Sequence, residues 1–309
     1  MDRPAHEPVL TDRVVFWLVT DPRGVYWDAT VGAAGHARAI TERLTEGGRL
    51  FGSDRDPKSL ALASAALTGA PATLAAARFS QLEHVWRTQG VGKLTGILFD
   101  LGLGSFQIDD AGRGIAFDED GPLDMRMDPG VPPLSHWLNR AQEKEIARVI
   151  SAYGEERRAW PLARAIAHKR PLATTGELRE AIASATPYRE RAKTLARVFQ
   201  AFRILVNDEL EELKAALDAL REMLAPGGRV VVIAYHSLED RLVKQHFRDA
   251  SRECLCPPRQ PVCTCNHQPW LNVLTRRAEM PGELEIQNNR RARSAKLRVA
   301  ERVGASVTP

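Results

Sequence analysis

A chain of 309 residues exceeds the usual size of one compact core, so two domains are the starting expectation. An apolar share of 44% and a charged share of 27% are those of a water-soluble globular protein. No apolar run approaches the roughly 18 residues a membrane helix needs, and Met1-Asp2-Arg3-Pro4 opens no secretory signal, so a cytoplasmic location is expected.

Val25-Tyr26-Trp27 predicts a short buried strand ending at Asp28, followed by the turn Thr30 to Gly35 and a helix over His36 to Leu44 that Gly47-Gly48 stops. A second strand, Arg49 to Ser53, ends at Asp54, and Pro57 opens the next helix. Further strands are predicted at Ala72 to Ala76 and at Thr95 to Phe99, the latter ending at Asp100. Strand, turn and helix in repetition predict an α/β fold, a parallel sheet wrapped by helices.

The rhythm then breaks. Leu101 to Asp128 is rich in Gly and Asp, and after it come helical patterns only: Gln142 to Ala152, Ala159 to Lys169, and a segment opened by the capping box Thr174 and Glu177. Residues 112–194 are therefore expected to form an all-helical domain inserted into a sheet domain made of 1–111 and 195–309. A long amphipathic helix is predicted from Val206, Leu210, Leu213, Leu217, Leu220 and Leu224, ended by Pro226-Gly227-Gly228. Arg229 to Ala234 reads as a buried strand, and the alternation at Ala295, Leu297 and Val299 predicts a late edge strand.

Open parallel sheets take ligands beyond the carboxyl ends of their strands, where Asp28, Asp54 and Asp100 fall. A glycine-bearing turn lets a ligand approach the backbone, and a carboxylate at the second strand's end can accept both ribose hydroxyls. Such a site suits any adenosine-containing cofactor. The dinucleotide pattern Gly-x-Gly-x-x-Gly is not met, and a carboxylate opening the loop would repel a pyrophosphate. It suits instead the ammonium of S-adenosyl-L-methionine, with a helix cap as the lesser reading of Asp28.

Several separated segments together resemble one family. They are His6-Glu7-Pro8-Val9-Leu10, Asp28 to His36, Asp54-Arg55-Asp56-Pro57, Asp100 to Ser105, Arg113-Gly114, Asp120 to Asp128 and Tyr153-Gly154-Glu155-Glu156. Phe199 to Ile204, His236-Ser237-Leu238-Glu239-Asp240-Arg241 and Asn289 to Ser294 complete the series, in order across nearly the whole chain. The family is that of the bacterial methyltransferases acting on cytosine N4 in small-subunit ribosomal RNA. The resemblance implies a Rossmann-like S-adenosylmethionine methyltransferase sheet with a helical insert that recognises substrate. It implies S-adenosyl-L-methionine as cofactor, and 16S rRNA near the decoding centre, in the small ribosomal subunit, as partner. A homodimer is admitted, and no membrane is expected.

Carried over by motif, the implied cofactor contacts are Ala34, Gly35, His36, Asp54, Phe79, Asp100 and Gln107, with Phe79 packing on adenine. The chain departs from the family's pattern at Ala33-Ala34, Gly104-Ser105, Phe106 and Thr194 to Val198. For catalysis, Asp100 is the expected acceptor for an N4 hydrogen, with Asp124 and His236 as secondary candidates and no metal. Asp124 could instead pair with Arg126, and His236 could be structural. In the insert, Trp137, Trp160 and Arg157-Arg158 could hold RNA, with burial in the helical core the favoured reading of both tryptophans.

Residues 251–309 carry ten Lys and Arg against five Asp and Glu, and the rest of the chain 33 against 34. Such a basic tail fits contact with phosphates or a solvated face. All four cysteines lie there, as Cys254-x-Cys256 and Cys263-x-Cys265, with His267 just beyond. They offer enough soft ligands for tetrahedral zinc, but one intervening residue where knuckles have two strains chelation. A reduced loop that orders on RNA is the competing expectation. Two alternatives stand beside methyl transfer: a nucleotide-cofactor oxidoreductase, disfavoured by the broken phosphate loop, and a non-catalytic RNA-binding ribosome-assembly factor.

Overall fold

The computed structural model describes residues 8–257, 260 and 262–304, with the side chains of Ser105 and Phe106 left aside. His6-Glu7 and the N-terminal residues read for a signal lie outside the described residues. Thr11–Leu18 (α1) leads to Val25–Asp28 (β1), Gly35–Thr41 (α2), Arg49–Asp54 (β2), Pro57–Ala66 (α3), Ala72–Ala76 (β3), Leu82–Thr88 (α4) and Leu94–Asp100 (β4). Then come Ser105–Ile108 (α5), Leu134–Leu138 (α6), Glu143–Gly154 (α7), Ala159–His168 (α8), Thr175–Ser184 (α9) and Arg191–Asn207 (α10). Glu209–Met223 (α11), Leu224–Ala234 (β5), Ser237–Ala250 (α12), Leu271–Val273 (β6), Glu283–Asn288 (α13) and Lys296–Arg302 (β7) follow. Among the described residues no helix is long and apolar enough to cross a membrane.

The backbone divides into two compact units. One runs to Gly102 and resumes at Glu212; the other is Leu103–Glu211. These limits lie outside those expected from composition, 112 and 194, for a packing reason. Helix α10 buries Val198, Phe199, Ala201 and Phe202 in the same apolar core as Ile146 and Ile150 of α7, Leu162 of α8 and Leu178 of α9. Gly154 allows α7 to reach α10: a Cβ there would sit 2.7 Å from the Arg197 carbonyl. The single amphipathic helix expected through Val206 and Leu224 is two helices, because Asp208 (φ 50) turns left-handed and ends α10.

In the first unit the strand order is β3-β2-β1-β4-β5-β7-β6. The first five are parallel; β7 runs antiparallel to β5, and β6 antiparallel to β7. The late strand is thus interior rather than an edge, with the three-residue β6 outside it. Successive residues alternate between two buried faces. Tyr26, Leu98, Val231 and Ile233 pack with Val14, Leu18, Ala37 and Ile40 of α1 and α2. Trp27, Ile97, Phe99, Val230 and Val232 pack with Leu82 of α4, Leu217 of α11 and Phe247 of α12. Burial on both sides is why these strands read as continuous apolar runs rather than alternating ones.

Candidate active site

Parallel pairing in register brings the carboxyl ends of β1, β2 and β4 to one edge of the sheet. The chain order reverses between β1 and β4, the switch point where open α/β sheets take ligands. The loop leaving β1 is built around Thr30. Its N–H and hydroxyl donate to Asp28 Oδ1 at 3.0 and 3.3 Å, and its hydroxyl oxygen accepts the Asp100 N–H at 2.7 Å. One threonine therefore joins the ends of two strands.

Val31 N–H donates to the Ser53 carbonyl and Ala34 N–H to the Val31 carbonyl, which stitches the loop to β2 and closes it on itself. Gly32 (φ 51) and Ala34 (φ 68) are both left-handed, a conformation that costs an alanine about 1 kcal/mol. At Gly32 an added Cβ would meet only the Thr30 carbonyl, 3.7 Å away, so the loop presents open backbone. Asp54 braces it: Oδ2 accepts the Gly32 N–H at 3.1 Å and Oδ1 the Asp56 N–H at 2.9 Å. Each carboxylate oxygen has a further lone pair to offer. Burial pushes the Asp54 carboxyl above its ordinary range against the pull of those two N–H groups.

Asp28 is only 1% exposed, and burial pushes its carboxyl up to about 6. Its Oδ2 has no hydrogen-bond partner among the described residues. The carboxylate expected to meet an ammonium thus lies beneath the loop and shapes it through Thr30. His36, buried in the first turn of α2, puts Nε2 3.4 Å from Asp100 Oδ2. That is ion-pair distance without hydrogen-bond geometry, and neither ring nitrogen has a hydrogen-bond partner among the described residues. Burial opposes the imidazolium, but Asp100 and then Asp28 outweigh it and raise the pKa.

Asp100 Oδ1 is also without a hydrogen-bond partner among the described residues. Tyr235, just past β5, faces the same carboxylate; burial first, then Asp100, hold its phenol protonated. Phe79 follows β3, half-buried, its ring edge-on to Phe99 with centroids 5.4 Å apart. A partly exposed carboxylate thus stands among a buried imidazole, a phenol and an open backbone loop, an arrangement able to hold a polar group and accept a proton.

A family model described as the MraW methylase family matches residues 3–303. The chain belongs to this family. It is 46% identical, over 96% of its length and 98% of theirs, to the ribosomal RNA small subunit methyltransferase H of Heliobacterium modesticaldum. The protein of the same name from Thiobacillus denitrificans is 47% identical, with 97% of this chain and 98% of that one covered. For that of Maridesulfovibrio salexigens the values are 44%, 97% and 96%.

The sheet unit of this MraW-family chain brings together Ala34, Gly35, His36, Asp54 and Asp100, with Phe79 three residues beyond the end of β3. Gln107 and Asp124 belong to the helical unit. Gln107 is buried, its Oε1 accepting the Gly104 N–H at 2.9 Å. Asp124 is gripped by Arg126, whose Nε and Nη2 donate at 2.7 and 2.8 Å. Burial opposes the Asp124 carboxylate, but those bonds hold its pKa below the ordinary range, so it is a weak proton acceptor. His236 is the N-cap of α12: its Nδ1 accepts the Glu239 N–H at 3.4 Å and its Nε2 lies 3.1 Å from Glu239 Oε1. Asp240 in the same motif holds Arg298 and Lys296 of β7 at 2.7 and 3.1 Å. Asp124 thus makes an ion pair with Arg126, and His236 caps a helix.

Trp160 corrects another expectation. It is 58% exposed on α8, whereas Trp137 is half-buried against the helical core. Two residues of the site went unremarked in the sequence, Thr30 and Tyr235. Position alone signals Tyr235, since it ends the fifth strand on the ligand edge. No local pattern marks Thr30, whose partner Asp100 is seventy residues on.

Proposed function

We propose that this chain methylates a cytidine of 16S rRNA at N4, near the decoding centre, with S-adenosyl-L-methionine as methyl donor, in the cytoplasm. The observation that carries this reading is Asp100, a carboxylate with an unpartnered oxygen at the switch point of a methylase-family sheet. The donor fits the residues present. Asp54 has lone pairs for ribose hydroxyls, Phe79 an apolar ring for adenine, and the loop at Gly32, Ala34 and Gly35 open backbone for the methionine end. The bound donor would supply an electrophilic methyl group on a sulfonium.

Everything else falls to the protein. Cytosine N4 is a poor nucleophile because its lone pair is delocalised into the ring. Asp100, accepting one N4 hydrogen, turns that lone pair out of conjugation and later takes the proton. His36 and Tyr235 hold the Asp100 carboxylate, and the buried Asp28 sets the loop. Since N4 is engaged in a base pair, the target cytidine must be unpaired or extruded. The test is mass mapping of 16S rRNA from cells lacking this protein. One methylated cytidine should revert to the unmodified mass and be restored by the wild-type gene; an unchanged map would overturn the reading.

Two further results are expected. Phe79→Ala should weaken donor binding about tenfold by calorimetry, the loss of one aromatic platform; unchanged affinity would remove Phe79 from the adenine site. In the helical unit, we assign RNA contact to exposed aromatic and basic groups. These are Trp160, Arg157, and Tyr188, which is 82% exposed with the Arg191 guanidinium 5.4 Å from its ring centroid. Stacked bases contribute roughly 1–3 kcal/mol each. Trp160→Ala with Tyr188→Ala should therefore raise the RNA dissociation constant at least tenfold and leave donor affinity unchanged. Equal RNA binding would place recognition elsewhere.

A further inference from the structure

The cysteine loop stands apart from the proposed active site. Between α12 and β6 the chain makes an excursion over 251–269, closed at its base where the Trp270 N–H donates to the Ala250 carbonyl at 2.9 Å. No described residue of the excursion is buried, and Leu255 and Val262 are exposed outright. Fixing one residue's backbone costs about 1–2 kcal/mol, and the loop's described residues offer no core to offset that. Something else must hold it in one conformation.

The four thiols converge. All four sulfurs lie within 4.8 Å of one another. Cys254 to Cys263 is 3.4 Å, Cys263 to Cys265 3.5 Å, Cys254 to Cys265 3.8 Å and Cys256 to Cys263 4.0 Å. A disulfide bond needs about 2.05 Å, so these are separate sulfurs. A tetrahedron of zinc–sulfur bonds of about 2.3 Å has edges of about 3.8 Å, which the four distances straddle.

Backbone N–H groups also turn to the sulfurs: Cys256 to Cys254 at 3.3 Å, Leu255 to Cys265 and Thr264 to Cys256 at 3.4 Å. Donors of this kind orient and stabilise thiolate ligands. Asn266 takes a left-handed turn (φ 48) directly after the last cysteine. The single intervening residue in each pair, the objection from spacing, is answered by the folding of the loop, which lets two short pairs face each other. His267 is not part of the group.

We propose that Cys254, Cys256, Cys263 and Cys265 bind one structural zinc ion that staples this loop. On binding, the thiols release their protons to solvent and the metal's four positions are filled, leaving none for substrate. The site owes nothing to the proposed activity and stands or falls separately from it.

The full-length protein, purified under reducing conditions without a polyhistidine tag or chelator, should carry one zinc per chain by elemental mass spectrometry. Cobalt loaded in its place should give the intense visible absorption of tetrahedral thiolate coordination. Cys254→Ser with Cys265→Ser should abolish both signals while donor binding persists. Chelation should speed tryptic cleavage after Arg252 at least tenfold. Zinc-free protein that gives no such cobalt spectrum, iron in place of zinc, or an intact mass showing two disulfides would each overturn the proposal.

Discussion

Asp100→Asn is expected to lower methylation of small-subunit RNA about a thousandfold, while the protein stays folded and binds the methyl donor within a few-fold of wild type. General-base and electrostatic contributions of this kind are each worth roughly a hundredfold to several thousandfold. The amide keeps the volume of the side chain, and the Asp100 N–H bond to Thr30 is a backbone bond that survives the substitution. What is lost is an acceptor: Asp100 Oδ1 has no hydrogen-bond partner among the described residues, and one amide position now presents a donor where the N4 hydrogen should be received. The substitution also removes the leading cause that raises the His36 pKa, so the imidazole should titrate lower by nuclear magnetic resonance. Transfer of labelled methyl groups to RNA at saturating donor measures the first effect. Wild-type turnover in Asp100→Asn would remove this carboxylate from the mechanism.

Much of the sheet was legible because its physics is local. Strands buried on both faces leave unbroken apolar runs, and β1, β2 and β4 each stop at an aspartate that the sequence shows directly. The α8 stripe was also legible in principle: Ala159, Leu162, Ala163 and Ile166 follow the helical period into the core, and Trp160 lies off it, so its exposure follows from spacing. Other features depend on distant partners. Nothing in Asn207-Asp208-Glu209 announces a break, since it has neither glycine nor proline, yet Asp208 caps the helix and Asn207 bonds Met125 and Met127 some eighty residues away. Strand β6 is too short to show a period. His236 to Arg241 looked like chemistry because a histidine and two carboxylates stand together; capping and ion pairs to β7 account for most of that motif. The cysteine spacing counted against a metal until the loop's course showed the sulfurs converging.

Asp28→Asn should make the donor-free protein more stable at neutral pH and flatten its pH dependence. Burial lifts the folded carboxyl from 3.8 to about 6. An acid whose pKa is higher folded than unfolded holds its proton more tightly in the native state. Its stabilising contribution is therefore complete below the unfolded value and is lost as the pH rises through the folded one. That shift corresponds to about 3 kcal/mol lost between pH 4 and 7. His36 and Asp54, with raised folded values, act in the same direction and leave a residual slope in the variant. The opposite terms, from Asp124 and Asp240, are lowered and fade only as the pH falls below the ordinary carboxylate range, outside this window. Asparagine keeps an oxygen for the Thr30 N–H and hydroxyl and carries no charge to desolvate. Urea unfolding at pH 4, 5 and 7 should show the variant gaining most at pH 7, up to about 3 kcal/mol, roughly half as much at pH 5 and little at pH 4. The retained ionisable group would then be a cost of the active site, consistent with its charge raising the His36 pKa beside Asp100. Parallel stability curves for the two proteins would show that the Asp28 carboxyl titrates alike in the folded and unfolded chains, and the account of a buried charge beneath the loop would fail.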